Sequence, residues 1–356
     1  MTSTIKYLFL FIPFLPLFLY SQNKKDYKTL FNQLSFESAS PFHEKRALVC
    51  IDDYYQYIDE KGNLLPFKFK RTSEFPGFFV NGRAKIYTKS GKYGYINPSG
   101  KLAIDTIYRV AAEFSDSLVF VARKGFYGFI DVNGKEMLPV DRKYMVTLPF
   151  KNGVAVVSDG KKYGAINKKG ALIISLDFDE IEAFEEGFAI ARKTREGLSG
   201  VIDATGKFVV EPKYSVLASI SEGLIAFCDE SEKWGFIDLK GNVVIKPKYS
   251  NVGDFHEGMA YVENEDSKVG YIDRKGKQII DFKFDTALDF SEGLAVATVE
   301  IKKNGFTRKL SGYIDKKGDW VFLPAFPEAN LFSEGKALIL EMSESHHLRW
   351  IYITKP

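Results

Sequence analysis

The sequence has 356 residues, 45% of them hydrophobic and 27% charged, more than one compact core usually holds, so two domains or a repeat array are expected. Its 49 basic and 46 acidic side chains leave a formal charge of +3, too balanced for a protein that coats nucleic acid, and no nucleic-acid partner is expected. With four His and two Cys, a zinc cluster or a disulfide framework would have to be assembled from almost nothing.

At the N-terminus, Tyr7 to Tyr20 reads YLFLFIPFLPLFLY, without a charge, after Lys6 and before the polar run Ser21, Gln22, Asn23, Lys24, Lys25. That is the layout of a secretory signal peptide. The stretch is shorter than the roughly 18 apolar residues a membrane-spanning helix needs, and Pro13 and Pro16 oppose a long helix. Residues 1–21 are therefore predicted to be a signal peptide, with small Ser21 at the cleavage point although Leu19 is bulky two positions earlier. No integral membrane span is expected after cleavage. No Cys follows the apolar run, which argues against a bacterial lipoprotein anchor. An exported chain would be periplasmic, cell-surface or extracellular.

Residues 22–35 form an N-terminal segment, and from residue 36 to 356 the chain repeats roughly every 35 residues. One anchor is a Gly, an apolar residue, Ile, Asp or Asn, two variable residues and Gly: GYINPSG from Gly94, GFIDVNG from Gly128, GAINKKG from Gly164, GVIDATG from Gly200, GFIDLKG from Gly235, GYIDRKG from Gly270 and GYIDKKG from Gly312. A second anchor is a Phe with Gly three residues later, seen at Phe255 (FHEGMA), Phe290 (FSEGLA) and Phe332 (FSEGKA), with weaker copies at Phe42, Phe79, Phe114, Phe150, Phe184 and Ile220. A third is an aromatic six residues before it, at Phe36, Tyr108, Tyr144, Phe178, Tyr214, Tyr249, Phe284 and Phe326. Phe69 keeps that spacing to Phe75, which puts the extra residues of this copy between Phe75 and Gly82. The terminal copies are degraded in one place, with Gln56 and Ile351 where Gly belongs, as the end units of an array are.

Consecutive apolar residues such as Leu294, Ala295, Val296 and Ala297 fit strands covered on both faces. The fold class is all-β, a tandem array of antiparallel β-repeats. Nine copies are present, and the ninth stops before its last strand. Tyr27 to Ser35 (YKTLFNQLS) is apolar enough to supply that strand and close the array, so a propeller-like ring is favoured. An open β-repeat superhelix is the alternative.

Asp131, Asp203, Asp238, Asp273 and Asp315 read as turn residues, their oxygens capping backbone N–H groups while Gly supplies a positive φ. A ring of calcium ligands is disfavoured, since each repeat offers one regular carboxylate and calcium needs six or more converging oxygens. The Gly that opens the strand of the first anchor, preceded by Tyr93, Tyr127, Tyr163 or Trp234, is read as the place where a large ring crosses a neighbour's backbone. An exposed aromatic ladder for sugars is the functional alternative. Cys50 and Cys228 occupy one repeat position in copies one and six and read as small core residues rather than a disulfide. His43 and His256 also share a repeat position. His346 and His347 lie together in the tail with no third ligand spaced around them. No hydrolase elbow, phosphate loop or zinc motif is present, and no catalytic, cofactor-binding or metal-ligating residue and no cofactor is assigned. The one large insertion, Thr298 to Leu310, lengthens one hairpin.

At Lys233, Trp234, Gly235, Phe236, Ile237, Asp238 and Gly241, and at Phe290, Ser291, Glu292, Gly293, Leu294 and Ala295, the sequence resembles the bacterial WG-repeat (KWG) family. The likeness covers about nine repeat-equivalents. It departs from the signature itself, for Trp stands only at Trp234 and, without its Gly, at Trp350; Tyr93, Tyr127 and Tyr163 keep an aromatic, and Ser199, Val269 and Ser311 do not. The resemblance implies an all-β repeat domain of exported or surface-associated proteins that serves as an interaction module, and it supplies no catalytic residues. The function expected is a non-enzymatic repeat protein presenting loops to a protein or glycan partner. Its rivals are an enzyme with a site formed where repeat loops converge, and a structural envelope protein.

Overall fold

The computed structural model describes residues 28–31, 36–71, 75–141, 143–303, 305–342 and 347–355. The segment 1–21 expected to direct export and His346 lie outside them. Among the described residues every regular element is a strand, and the strands form nine antiparallel sheets, eight of four strands and one of three. No helix among them is long and apolar enough to cross a membrane.

Blade seven shows the frame. Its strands are Asn251–Val252, Met259–Glu263, Val269–Asp273 and Gln278–Phe284, in that order across the sheet. The first turn is a two-residue hairpin in which Glu257 (φ 54°) and Gly258 (φ 83°) are both left-handed and His256 bridges Met259. Two positive φ values give the type I′ turn, whose twist matches the flanking strands. The third and fourth strands are joined by the Asp-x-x-Gly turn, where Asp273 Oδ1 accepts from the backbone N–H groups of Lys275 and Lys277, each at 2.9 Å.

The first strand is two residues long in six of the nine blades, which is how a repeat of this length supplies four strands. Prolines 66, 139, 212, 247 and 324 all fall in fourth strands, the free edge of each sheet, where a missing N–H disrupts no internal ladder and discourages edge pairing.

The core lies between blades. Leu224, Ala226, Phe236, Ile245 and Tyr249 of blade six pack on Phe255, Ala260, Val262 and Ile272 of blade seven. Within Ala295–Ala297, residues 295 and 297 face blade seven while Val296 faces blade nine, so consecutive apolar residues are needed in one strand. All nine Phe or Ile anchors are buried, at 0–6% exposure. In the second copy the buried anchor is Phe79 at 2%, and Phe75 is 48% exposed. The extra residues therefore precede the anchor, in the crossover between blades one and two, and not between Phe75 and Gly82 as the sequence spacing suggests.

The glycines that open third strands have a different cause from the one expected. A Cβ on Gly235 would stand 2.4 Å from the carbonyl oxygen of Ile245, in the fourth strand of the same blade, and the other six opening glycines meet the same strand at 2.1–2.6 Å. The ladder slips there: Trp234 pairs with Tyr249 but Phe236 with Ile245. A β-bulge in the outer strand, rather than a neighbour's ring crossing, excludes the side chain. Blade one keeps its register through Tyr55–Phe69 and Gln56–Lys68 and slips only beyond Gln56, before Ile58 pairs with Leu64, so the bulge does not fall opposite Gln56. In blade nine the outer strand pairs with Tyr352–Thr354, beyond Ile351.

That outer strand is Lys28–Leu30, from the N-terminal segment. Across the same joint Glu334 Oε2 accepts from Lys45 N at 2.7 Å, the Ser333 hydroxyl donates to Phe42 O at 2.8 Å, and the Tyr352 hydroxyl to Ser40 O at 2.6 Å. The nine blades close into a ring, and the open superhelix does not apply.

Candidate interaction face

In a meander of antiparallel strands, the first-to-second and third-to-fourth turns lie on one face of the ring. The second-to-third hairpins and the crossovers between blades lie on the other. The two faces differ in kind.

On the turn face a relay passes from blade to blade. Glu44 accepts from Gly82 N (2.6 Å), Asn81 from Ser117 N (3.1 Å) and Asp116 from Gly153 N (2.7 Å). The Asn152 amide donates to Phe184 O (3.3 Å). Glu186 accepts from Glu222 N and Gly223 N (2.8 and 2.9 Å), Glu222 from Gly258 N (3.1 Å), Glu257 from Gly293 N (3.0 Å) and Glu292 from Gly335 N (3.0 Å). Glu334 to Lys45 completes the circle. All nine relay residues are left-handed, with φ between 49° and 54°. In each copy an Asn, Asp or Glu takes the left-handed turn and reaches a backbone group of the next blade. These residues were missed in the sequence, although an acid or amide recurs there in every copy.

The same face carries the Asp-x-x-Gly turns, whose acids are engaged locally. Asp203 accepts from the Thr205 hydroxyl (2.6 Å) and from the Thr205 and Lys207 backbone N–H groups (2.8 and 3.2 Å); the hydroxyl and these N–H groups outweigh partial burial and hold its carboxyl below the usual range. Asn97 and Asn167 make the equivalent bonds. Among the described residues no group of three or more His, Cys, Asp or Glu is arranged to hold a metal ion.

On the opposite face length varies. Ala260 to Gly270 in blade seven spans a short hairpin, whereas Ala295 to Gly312 in blade eight and Ala337 to Ile351 in blade nine span longer ones. Crossovers run from Gly241 to Phe255 and Gly276 to Phe290, but from Gly62 to Phe79 and Gly134 to Phe150 they are longer. On the turn face no copy departs in length. The Thr298–Leu310 insertion extends two paired strands, Ala295–Lys303 and Phe306–Ile314, as one continuous ladder.

One rung of the sheets, near this face, also varies: the residue before the opening Gly and its partner on the second strand. It holds Cys50–Tyr55, Tyr87–Tyr93, Ala122–Tyr127, Ser158–Tyr163 and Cys228–Trp234 in blades one to four and six. In blade five Arg192 fills it and donates to the Ser199 hydroxyl at 3.1 Å. Blade seven has Glu263–Val269 and blade nine Leu340–Trp350. Blade eight alone has two small hydroxyl residues, Thr298 and Ser311. The aromatics thus sit within the blade joints; Tyr127, for example, donates its hydroxyl to Tyr144 O at 3.0 Å. Cys50 and Cys228 take the same rung in blades one and six, each a free thiol.

His43 and His256 lie on the turn face, His43 against the Phe78 ring at 4.8 Å and His256 3.7 Å from Asp289. His347 is exposed on the hairpin face. Among the described residues Asp289 is the one strongly perturbed carboxyl: Oδ1 is buried without a hydrogen-bond partner. Burial first, against the attraction of His256 and with the repulsion of Asp254, pushes it up to about 6.

A closed ring of radially repeated four-stranded sheets is a β-propeller, here of nine blades. Residues 93–125, 127–163, 163–194, 200–231, 234–267, 270–300 and 312–341, more than half of the chain, match the family described as WG containing repeat, and the chain belongs to that family. No curated protein matches it. Among solved structures it is similar to a eukaryotic initiation factor (TM-score 0.50, 12% identity, 88% of this chain and 90% of that one). It is also similar to BamB from Moraxella catarrhalis (0.43, 11%, 90% and 99%) and to the computationally designed protein Ika8 (0.44, 13%, 79% and 98%). At 12% identity the likeness to the initiation factor is one of fold.

Proposed function

We propose that the protein is an exported, non-enzymatic propeller that binds a protein or glycan partner through the face carrying the second-to-third hairpins and the crossovers. One observation carries this reading: every change of repeat length falls on that face, while the opposite face is held constant by the turns and the relay. Loops free to vary on a rigid scaffold are where binding features are placed. The apolar segment Tyr7–Tyr20 supports export to the periplasm, cell surface or medium.

The test is affinity capture from envelope fractions with two altered chains. In one, Thr298–Leu310 is cut back to the length of the blade-seven hairpin; in the other, the exposed turn-face cations Arg274 and Lys316 become Ala. The reading expects the first to lose the captured partner and the second to keep it. Loss by the turn-face variant alone overturns it.

A further inference from the structure

We propose that the joint between blades eight and nine is a binding site for one neutral sugar unit of a glycan; this rests on the hairpin face being the binding face. A cavity of about 240 Å³ lies there, lined by Thr286, Thr298, Ser311, Glu328, Asn330 and Val296 among others. It is just below the range that takes a drug-sized ligand, which suits a single pyranose ring. Its origin is the rung described above. In every other blade a large side chain, aromatic in six of them, occupies this place, and in blade eight two hydroxyls, Thr298 Oγ1 and Ser311 Oγ, face each other at 2.9 Å.

The second departure coincides with the first. Thr298 and Ser311 are the rung from which the inserted hairpin continues, through Val299–Leu310 and Glu300–Lys309, so the largest insertion in the chain is built directly on the cavity wall. The chemistry of the lining is that of sugar recognition. Hydroxyls of Thr286, Thr298 and Ser311 both donate and accept, the Asn330 amide does the same, and the Glu328 carboxylate accepts. Val296 and Ala329 give an apolar wall for ring C–H groups. The Tyr313 hydroxyl fixes the backbone of this wall by donating to Asn330 O at 2.7 Å. A carboxylate with no cation paired to it among the described residues favours a neutral ligand over an anionic one.

The probes are an array of neutral α-glucan, β-glucan, mannan and chitin oligosaccharides, followed by calorimetry with the best of them as free saccharide and as polymer, up to about 10 mM. The full mature chain should bind at least one, and Ser311→Tyr, which restores the aromatic of blades one to four, should weaken binding at least about ten-fold. Thr298→Val, which keeps the volume and removes one hydroxyl, should weaken it less and serves if Ser311→Tyr fails to fold. Equal affinity for free saccharide and polymer identifies the source as a soluble sugar, and preference for polymer identifies a wall or surface glycan; both support the site. No saccharide bound at the highest concentration, or binding untouched by either variant, overturns it. A protein partner captured through the same face, without saccharide binding, would sink this site and leave the reading of the face intact.

Discussion

Gly235→Ala isolates the cause of the motif's glycine. The added Cβ would lie 2.4 Å from Ile245 O and 2.7 Å from Pro247 N, below the 3.0 Å that real Cβ contacts respect. The obstacle is backbone, and the strand it belongs to, Val243–Tyr249, buries Ile245 and Tyr249 at 4 and 5% exposure. To make room the strand must retreat from its bulged pairing and lift those side chains from the blade joint, a displacement that costs about 2–3 kcal/mol as overpacking. Replacing Gly otherwise gains about 0.5–1 kcal/mol through the unfolded chain, so a net loss of about 2 kcal/mol is expected in urea unfolding. Gln56→Ala is the control, because blade one holds Gln56 in register with Lys68 and slips only beyond it; it gives up one hydrogen bond, Gln56 Nε2 to Leu65 O at 3.0 Å, worth about 1 kcal/mol or less. Hydrogen exchange should show residues 243–249 deprotected in the first variant, with blade one unchanged in the second. Equal losses, or protection retained in 243–249, would refute the bulge argument.

Asp289→Asn should stabilise the protein at pH 7.5 by up to about 3 kcal/mol, the cost of ionising a carboxyl raised from 3.8 to about 6. Because the folded state holds this proton more tightly, wild-type stability falls as pH rises from about 4 through 6, and the variant's advantage should vanish in melts at pH 4; a pH-independent difference would count against it. Tyr352→Phe removes the buried hydroxyl bonded to Ser40 across the closing joint and should cost about 1–2 kcal/mol, as much as Tyr271→Phe at the joint of blades seven and eight, where the bond to Leu288 O is 2.7 Å; a cost for Tyr271→Phe alone would mean that the ring is not closed there. Asp238→Asn should change stability by less than about 0.5 kcal/mol, since Asn97 and Asn167 already make its two backbone bonds and the third, from Asn242 Nδ2 to Oδ2 at 2.9 Å, is exposed. Thiol titration of the unfolded, unreduced protein should find Cys50 and Cys228 both free, and a mass lower by two hydrogens would contradict their placement in separate blades.

What the sequence displayed depended on how local each constraint is. The Asp-x-x-Gly turns are closed by residues within the motif, so their role could be read from Asp273 and Gly276 alone. The number of copies and the supply of a last strand from the N-terminal segment followed from counting. The opening glycines announced a close approach without naming the approaching backbone; only the pairing of Phe236 with Ile245 identifies it as the blade's own outer strand. The relay acids looked like solvated turn residues because their partners lie a whole repeat away. Their recurrence, from Glu44 to Glu334, was nevertheless on view, and so was the Asn-Gly hairpin signal at Asn81 and Asn152. The cavity was hidden for the opposite reason: Ser311 reads as a lapse of the aromatic pattern until Thr298 is seen opposite it, thirteen residues away across an insertion.

A ring that binds through the face on which its loops vary must bury the hairpins and crossovers of that face. Hydrogen-exchange footprinting of the protein with and without a captured partner measures that burial. Added protection is expected in the blade-eight hairpin Thr298–Leu310 and the crossover following Lys70, with the Glu257–Gly258 and Asp273–Gly276 turns unchanged; protection confined to those turns would place the partner on the opposite face.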